Sequence, residues 1–198
     1  MNLGLLVAAG YGRRFDPSGT RSKLETRLDG IMVAVRTAQA LLAHCDRVIA
    51  AVRPESTALT SELAAAGCEI ATVTGEEGMG TSIACGARLA WSHPALRMLL
   101  VQPADMPWLD PLSVRRVIDA QPAKEQLIVL PTYRGQDGHP VRFDRLLVPH
   151  LMQLSGERGA RRLLERHPSL RLALADEGVV RDLDTPQDLS GSPGSSSP

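Results

Sequence analysis

The chain has 198 residues, which is enough for one α/β domain with a sizeable core and too few for two ordinary enzyme domains. Lys and Arg together number 22, as do Asp and Glu together. This balance excludes a strong overall field that would draw the protein to nucleic acid or to an acidic membrane surface. The three cysteines have no CxxC spacing, which favours buried reduced thiols over disulfides or a zinc site. Residues 1–9 are apolar but too short for a membrane span, so we expect a cytoplasmic protein.

Short apolar runs alternate along the chain with stretches of helical character. The first run, residues 3–9, ends at Gly10 and has the length of a buried parallel strand. Four further runs of this kind occupy residues 47–52, 69–73, 97–101 and 127–130. Helices are predicted over residues 31–43, 55–66 and 81–91, the last two with a Ser or Thr near the start that can cap them. The alternation predicts an α/β fold with a mostly parallel sheet covered on both faces.

The alternation changes after residue 130. The pair Asp137-Gly138 lies between two extended pieces within residues 133–143, which predicts a hairpin or an edge excursion. Helices are predicted over residues 144–154 and 159–166, and strands over residues 171–175 and 179–183. Residues 190–198 are Ser, Gly and Pro, so we expect a disordered tail after a single domain of residues 1–189.

A glycine-rich turn follows the first predicted strand, in the sequence LVAAGYGRRF of residues 6–15. Its small residues let the backbone approach a triphosphate closely, with N–H groups that can point at phosphate oxygens. Arg14 and Lys23 would supply a cationic clamp. The turn lacks the GK[ST] ending of a Walker A loop and the third glycine of a dinucleotide-binding turn. The alternative is that the glycines serve the backbone of a turn and nothing more.

Asp105 follows the fourth predicted strand in the sequence QPADMP. Ligands bind beyond the carboxyl ends of parallel strands, so Asp105 would face the same crevice as the turn at Gly10. A carboxylate there can hold Mg²⁺ against phosphates. The alternative is an Asp that only forms a turn before Pro107.

Two further carboxylates, Asp182 and Asp184, occur in the sequence RDLDTPQDL. Side chains two apart at a strand end project to the same side, so either could complete a metal site with Asp105. The alternative for Asp184 is a capping role, because Thr185-Pro186 is a good helix start. For His139, beside Gly138 in a turn, we favour shaping the backbone or contacting a phosphate over acid–base catalysis or metal binding.

Six motifs in order carry a resemblance to a known family. They are LVAAGYGRRF with the later Lys23, GMGTSIACGA, VQPADMPWLDP, PTYRGQDGHPVRF, LSGERGARRLL and RDLDTPQDL. Together they resemble the MobA-like molybdenum cofactor nucleotidyltransferases, and most of all the molybdenum cofactor cytidylyltransferase branch, over residues 3–189. The resemblance implies a three-layer Rossmann-like nucleotidyltransferase domain. It also implies transfer of CMP from CTP, with Mg²⁺, to the terminal phosphate of the molybdenum-molybdopterin cofactor, with release of pyrophosphate.

The resemblance also implies roles for individual residues. The triphosphate loop is matched by Ala8, Ala9, Gly10, Gly12, Arg14 and Lys23, and catalysis would rest on Arg14, Lys23 and Asp105. The Mg²⁺-binding aspartate is matched by Asp105, assisted by Asp182 or Asp184. The segment that reads base and ribose is matched by Gly80, Thr81 and Ser82, and the acceptor side by Gly138, His139 and Pro140.

Details of the motifs favour the cytidylyl over the guanylyl branch. Ala8-Ala9-Gly10 stands where guanylyl relatives usually read LAGG, and the GHPV and SGERGAR elements also resemble the cytidylyl branch. Three features depart from the family pattern: Asp16 stands where Gly is frequent, residues 17–21 lengthen the loop, and Met32 replaces a common Pro. The expected partners are CTP, a molybdopterin-type acceptor and, as a candidate, a molybdoenzyme. The alternatives are GTP as donor, a sugar or alditol phosphate as acceptor, or a non-enzymatic chaperone for the cofactor.

Overall fold

Strands that are buried along most of their length form the centre of the molecule. The computed structural model of the chain describes residues 1–10, 15 and 22–190. Its main sheet has eight strands, in the order β10-β7-β9-β6-β1-β4-β5, with β8 paired to β7. These strands are β1 (Asn2–Val7), β4 (Arg47–Val52), β5 (Glu69–Thr72), β6 (Met98–Pro103), β7 (Ile128–Tyr133), β8 (Gln136–Asp137), β9 (Val141–Asp144) and β10 (Ser169–Ala173). A separate two-stranded hairpin consists of β2 (Arg27–Leu28) and β3 (Ile31–Met32).

Most of the main sheet is parallel. β1 pairs in parallel with β4 and β6, β4 with β5, and β7 with β10. β9 lies antiparallel between β6 and β7, and β8 is antiparallel to β7. The predicted mostly parallel sheet is therefore confirmed, and the departure from parallel pairing lies in the segment where the strand–helix alternation stops.

Helices cover both faces of this sheet. They are α1 (Val33–Leu42), α2 (Thr57–Ala65), α3 (Met79–Trp91), α4 (Pro111–Asp119), α5 (Val148–Leu151) and α6 (Arg161–Arg166). Leu6 packs with residues of α1, α2 and α4 in one core cluster, whereas Leu5 packs with residues of α3, α5 and α6 in the other. Successive strand residues point to opposite faces, so one strand serves both cores. This is the predicted three-layer α/β architecture.

The order of the strands creates a crevice beside β1. The chain passes from β1 to β4 through α1 on one face, and reaches β6 on the other side of β1 through α3 on the opposite face. Such a reversal separates the loops at the carboxyl ends of the two adjacent strands, which is where ligands bind in open α/β sheets. In this chain those ends lead to Gly10 and to Asp105.

Two segments, residues 31–32 and residues 133–138, have structures that differ from the prediction. Residues 31 and 32 begin no helix, because they pair with β2 across a turn in which Asp29 has φ 51° and Gly30 has φ 83°. The predicted turn at Asp137-Gly138 is wrong. The reversal occurs at Arg134-Gly135, whose φ angles are 49° and 83°, and it lets Gln136–Asp137 pair with β7 as β8.

The C-terminal segments also differ in part from the predictions. The predicted helix over residues 144–154 is a 3-10 turn, Arg145–Leu147, that continues into the short α5. The predicted strand over residues 179–183 is wrong: a 3-10 turn, Glu177–Val179, occupies its start, and residues 181–184 have no regular structure. Asp182 and Asp184 therefore do not lie on a strand end.

Residues 191–198 of the predicted tail lie outside the described residues. None of the helices described is long and apolar enough to cross a membrane.

Candidate functional site

A cavity of about 370 Å³ opens at the carboxyl ends of β1 and β6. It is bounded by Ala9 and Gly10 after β1, by Lys23, by Asp105 after β6, and by the start of α3. Asp184 approaches it from the C-terminal segment. The structure thus brings together the predicted glycine-rich turn, one predicted cation and two predicted carboxylates at the crevice that the strand order creates.

An ion pair network lies inside this cavity. Nζ of Lys23 lies 2.6 Å from Oδ2 of Asp105 and 3.5 Å from Oδ1 of Asp184. The Lys23 side chain is 12% exposed and the Asp105 side chain 22% exposed, so water screens their attraction only in part. One ammonium group therefore bridges two carboxylates that are far apart in the sequence.

The position of Lys23 is set by the start of α1. The amides of Glu25 and Thr26 donate to the carbonyl of Ser22, which forms a tight turn around Lys23. The amide of Ala34 then donates to the carbonyl of Leu24, and the amide of Val33 to that of Thr26. Because the first amides of a helix lack partners inside the helix, these bonds both cap α1 and attach the Lys23 turn to it.

Asp105 is held through its neighbouring backbone. The amide of Leu183 donates to the carbonyl of Asp105 at 2.8 Å, which joins the two acidic segments of the site. The hydroxyl of Thr37, on α1, lies 3.0 Å from the carbonyl oxygen of Ala104 and 3.1 Å from that of Val33. Thr37 is fully buried. The backbone that presents the Asp105 carboxylate is therefore fixed from both sides.

A third carboxylate adds to the negative charge of the cleft. Partial burial raises the pKa of Asp182, and the negative charges of Asp184 and Asp105 raise it further, while Lys23 lowers it. Three acidic groups thus interact with one described ammonium group. Among residues 1–10, 15 and 22–190, no group of three or more His, Cys, Asp or Glu side chains is arranged to hold a metal ion by itself. Any cation held here would need further ligands from elsewhere.

The start of α3 is fixed by a loop from later in the chain. The amide of Gly80 donates to the carbonyl of Gly156 at 2.8 Å, and the amide of Gly156 donates to Oγ1 of Thr81 at 3.1 Å. A Cβ atom on Gly80 would lie 2.6 Å from the carbonyl oxygen of Arg158, so glycine permits this close approach. Ser82 is buried beside the cavity, and its hydroxyl donates to the carbonyl of Gly78. Each of the three residues predicted to read the base and ribose therefore makes a hydrogen bond that fixes the start of α3.

The GHP element is held by backbone contacts and is not among the described residues that bound the cavity. The amide of Gly138 donates to the carbonyl of Pro131, and the amide of His139 donates to that of Val179 at 2.7 Å. The peptide bond between His139 and Pro140 is cis. Burial lowers the pKa of His139, although a backbone hydrogen bond with Val101 and the charge of Asp105 raise it in part. Among the residues described, Nδ1 of His139 has no hydrogen-bond partner.

The glycine-rich turn is described only as far as Gly10. Ala8 is buried, and its amide donates to the carbonyl of Ala51 at 2.9 Å. Gly10 is exposed, and a Cβ atom built on it would contact nothing within 4 Å. Gly12 and Arg14 lie outside the described residues, so their predicted roles at the triphosphate stay predictions.

The comparisons with known proteins identify the family of the chain. The family model described as the MobA-like NTP transferase domain matches residues 4–171 of the chain. The chain belongs to this family. It is an NTP transferase by family, which confirms the broad resemblance stated above, whereas the cytidylyltransferase branch stays a prediction.

Similar proteins cover nearly the whole chain. The purine catabolism protein PucB of Bacillus subtilis strain 168 is 26% identical over 203 residues, covering 94% of this chain and 93% of that protein. The crystal structure of Rv0371c from Mycobacterium tuberculosis H37Rv is 28% identical, with a TM-score of 0.78 and 96% of each chain covered. A crystal structure of Rv0371c in complex with manganese is 26% identical, with a TM-score of 0.68 over 87% of this chain and 88% of that one.

Two residues of this MobA-like NTP transferase were not singled out from the sequence. Thr37 is a polar residue on the otherwise apolar buried face of α1, and that interruption was the available signal. Arg53 directly follows β4 and borders a second cavity of about 300 Å³. The two cavities share the lining residues Ala9, Glu77, Gly78 and Ser82. Because Arg53 follows the carboxyl end of a parallel strand, the rule that predicted Asp105 could also have found it.

Proposed function

We propose that this NTP transferase transfers CMP from CTP to the terminal phosphate of the molybdenum-molybdopterin cofactor and releases pyrophosphate. The observation that carries the proposal is the Lys23–Asp105–Asp184 network beside Gly10, at the crevice between β1 and β6. Family membership supports a nucleoside triphosphate as donor. The Ala8-Ala9-Gly10 turn supports the cytidylyl branch.

A divalent cation fits the donor groups of the cleft. The carboxylates of Asp105 and Asp184 already face one cationic group, and Mg²⁺ is usually bound by one or two carboxylates together with substrate phosphates and water. The manganese complex of Rv0371c supports a divalent ion in this family. We propose Mg²⁺ held by Asp105 with Asp182 or Asp184. When bound, the ion would neutralise charge on the phosphates.

The chemistry needs positioning rather than a protein nucleophile. An oxygen of the acceptor's terminal phosphate forms a bond to the α-phosphorus of CTP, and the bond from that phosphorus to the bridging oxygen of the β-phosphate breaks. Pyrophosphate leaves with the electron pair of that bond. Lys23 and Arg14 would stabilise its negative charge, and the amides after β1 would hold the triphosphate in line.

The remaining proposed contacts divide between donor and acceptor. The cavity beside Arg53 adjoins the triphosphate turn and has room for the nucleoside, and Ser82 lines both this cavity and the main cleft. Gly80 and Thr81, the two residues before Ser82, would read the base and ribose with it. Gly138, His139 and Pro140 would stand on the acceptor side. Backbone hydrogen bonds of Gly138 and His139 give this segment a defined shape, which suits recognition of one acceptor.

One assay tests the reaction directly. Purified protein is incubated with Mg²⁺, molybdenum-loaded molybdopterin and either CTP or GTP, and pyrophosphate release is followed. We expect release with CTP. Faster release with GTP would indicate the guanylyl branch, and release that requires a sugar or alditol phosphate would indicate another acceptor. Pterin binding without pyrophosphate release from any NTP would support the non-enzymatic chaperone instead.

A calorimetric titration tests the proposed donor site without an acceptor. CTP is titrated into the protein with and without Mg²⁺, and the same is done with the Asp105→Asn variant. We expect uptake of CTP that strengthens with Mg²⁺ in the wild type and loses this dependence in the variant. The absence of any magnesium-linked ribonucleotide binding would contradict the proposed site.

A further inference from the structure

The Lys23 ammonium group occupies the space between the carboxylates that are proposed to hold a divalent ion. Its Nζ is 2.6 Å from Oδ2 of Asp105 and 3.5 Å from Oδ1 of Asp184. Mg²⁺ binds carboxylate oxygens at about 2.0–2.1 Å. A metal ion on the same oxygen of Asp105 would therefore lie next to the ammonium, and two cations at such a distance repel strongly in a partly buried site.

We propose that Lys23 is an exchangeable counter-ion that weakens the binding of a divalent cation to Asp105 until a nucleoside triphosphate arrives. This inference rests on the proposed function, because it concerns the same cleft. In the absence of nucleotide, Lys23 neutralises Asp105 and Asp184. A triphosphate at Gly10 offers Lys23 new anionic partners, so that the carboxylates become available to the cation. Cation and nucleotide then bind with positive coupling, each raising the affinity for the other.

The choice of side chain fits this exchange. Lys23 and Lys124 are the two lysines of the chain, which otherwise uses arginine for its long cationic side chains. A guanidinium group binds a carboxylate through two parallel hydrogen bonds, whereas an ammonium group is a compact charge on a flexible stem. Lysine at this position can therefore move between Asp105 and a phosphate more readily than arginine could.

Manganese binding in the absence of nucleotide tests the proposal without any activity measurement. Free Mn²⁺ is followed by electron paramagnetic resonance during titration of the wild type and of Lys23→Gln, Lys23→Arg and Lys124→Gln. We expect Lys23→Gln to bind Mn²⁺ about tenfold more tightly than the wild type. Lys23→Arg should bind no more tightly than the wild type, and Lys124→Gln should match it. Equal Mn²⁺ affinities of Lys23→Gln and the wild type would overturn the proposal.

Two further measurements locate the effect. Adding Asp105→Asn to Lys23→Gln should remove the gain in Mn²⁺ affinity, and a gain that persists would place the ion elsewhere and overturn the proposal. CTP should raise the Mn²⁺ affinity of the wild type more than that of Lys23→Gln. If CTP binds none of these proteins but Lys23→Gln still gains Mn²⁺ affinity, the counter-ion role stands and the proposed CTP donor fails.

A measurement on the unaltered protein covers the case in which the Lys23 variants do not fold. Reductive methylation of Lys23 is followed by mass spectrometry, with Lys124 as the internal standard. Saturating Mn²⁺ without nucleotide should displace the ammonium from Asp105 and raise the methylation rate of Lys23 relative to Lys124. An unchanged ratio would contradict the exchange.

Discussion

Two largely buried cations, Lys23 and Arg142, have different kinds of partner: Lys23 pairs with carboxylates, and Arg142 with main-chain carbonyls. Lys23 faces two carboxylates inside a cavity at the end of β1. Arg142 lies on β9 and is 9% exposed. Its Nη1 lies within hydrogen-bonding distance of the carbonyls of Val117, Ile118 and Ala120, at 3.0, 3.0 and 2.9 Å. Those carbonyls end α4, so Arg142 caps that helix from a neighbouring strand.

The difference separates a group that can exchange partners from one that cannot. Main-chain carbonyls at a helix end cannot move away, and a cation there is favoured by the helix dipole. Burial lowers the pKa of Arg142 and the charge of Asp144 raises it, but an arginine stays charged in either case. The carboxylates around Lys23 border open space that a ligand can fill. We therefore expect substitutions at the cleft to affect activity, and substitutions at Arg142 to affect stability.

The largest expected effect is on turnover at the cleft. Asp105→Asn keeps the size of the side chain but removes its charge, so pyrophosphate release should fall about 10³-fold. Thermal unfolding should be little changed. The matched control is Asp119→Asn, an exposed carboxylate on α4, which should keep wild-type turnover. Near-normal activity of Asp105→Asn with Mg²⁺ would show that this carboxylate does not act in the reaction.

The next effect is on stability at the end of α4. Arg142→Met removes the donor from the carbonyls that end α4, which should lower the free energy of unfolding by about 3 kcal/mol. Turnover per folded molecule should stay unchanged. Urea unfolding measures the loss, with Arg115→Met on the exposed side of α4 as control, where the change should stay within about 0.5 kcal/mol. A drop in turnover of the folded protein would remove the distinction between the two cations.

A substitution at Thr37 is expected to affect both turnover and stability. Thr37→Val keeps the shape but leaves the buried carbonyl of Ala104 without its side-chain donor, so stability should fall by about 1–2 kcal/mol. Turnover should also fall about fivefold, because Asp105 follows directly and its position becomes less defined. Thr37→Ser should restore both quantities. If Thr37→Val changes stability alone, the hydroxyl supports the core and does not position Asp105.

The smallest expected effect concerns the pH dependence of stability and the buried His139. Burial lowers the pKa of His139 from its ordinary value of 6.5, so the unfolded chain takes up a proton at higher pH than the folded protein does. The neutral His139 therefore contributes its full stabilisation above pH 6.5. That stabilisation is lost as the pH falls towards the lower pKa that His139 has in the folded protein. Urea unfolding between pH 7 and pH 5 should therefore show a smaller loss in His139→Gln than in the wild type. Equal losses would contradict this assignment.

Much of the sheet was predictable because burial imposes a pattern on the sequence. Strands β1, β4, β6 and β7 are covered on both faces, so they appear as short continuous apolar runs. Residues 179–183 look similar but form no strand. Their backbone groups make isolated bonds instead, from the amide of His139 to Val179 and from the amide of Leu183 to Asp105. An apolar run indicates burial. Whether it forms a strand depends on whether another strand lies beside it in the folded structure and pairs with its backbone.

The roles of Thr37 and Arg142 depend on contacts that no local pattern encodes. Thr37 bonds to a carbonyl 67 positions later, and Arg142 to a carbonyl 25 positions earlier. A threonine in a helix and an arginine in a strand are ordinary in composition. Their partners become known when the elements are packed together.

The sequence by itself determined the α/β class, the family and three charged residues of the cleft, Lys23, Asp105 and Asp184, because periodicity and motif order depend on neighbouring residues. The tertiary structure decided which of those residues meet. Lys23 is 82 positions from Asp105 and 161 from Asp184. Contacts over such distances arise only when the strands β1 and β6 pair and the C-terminal segment packs beside them, which is a property of the folded chain.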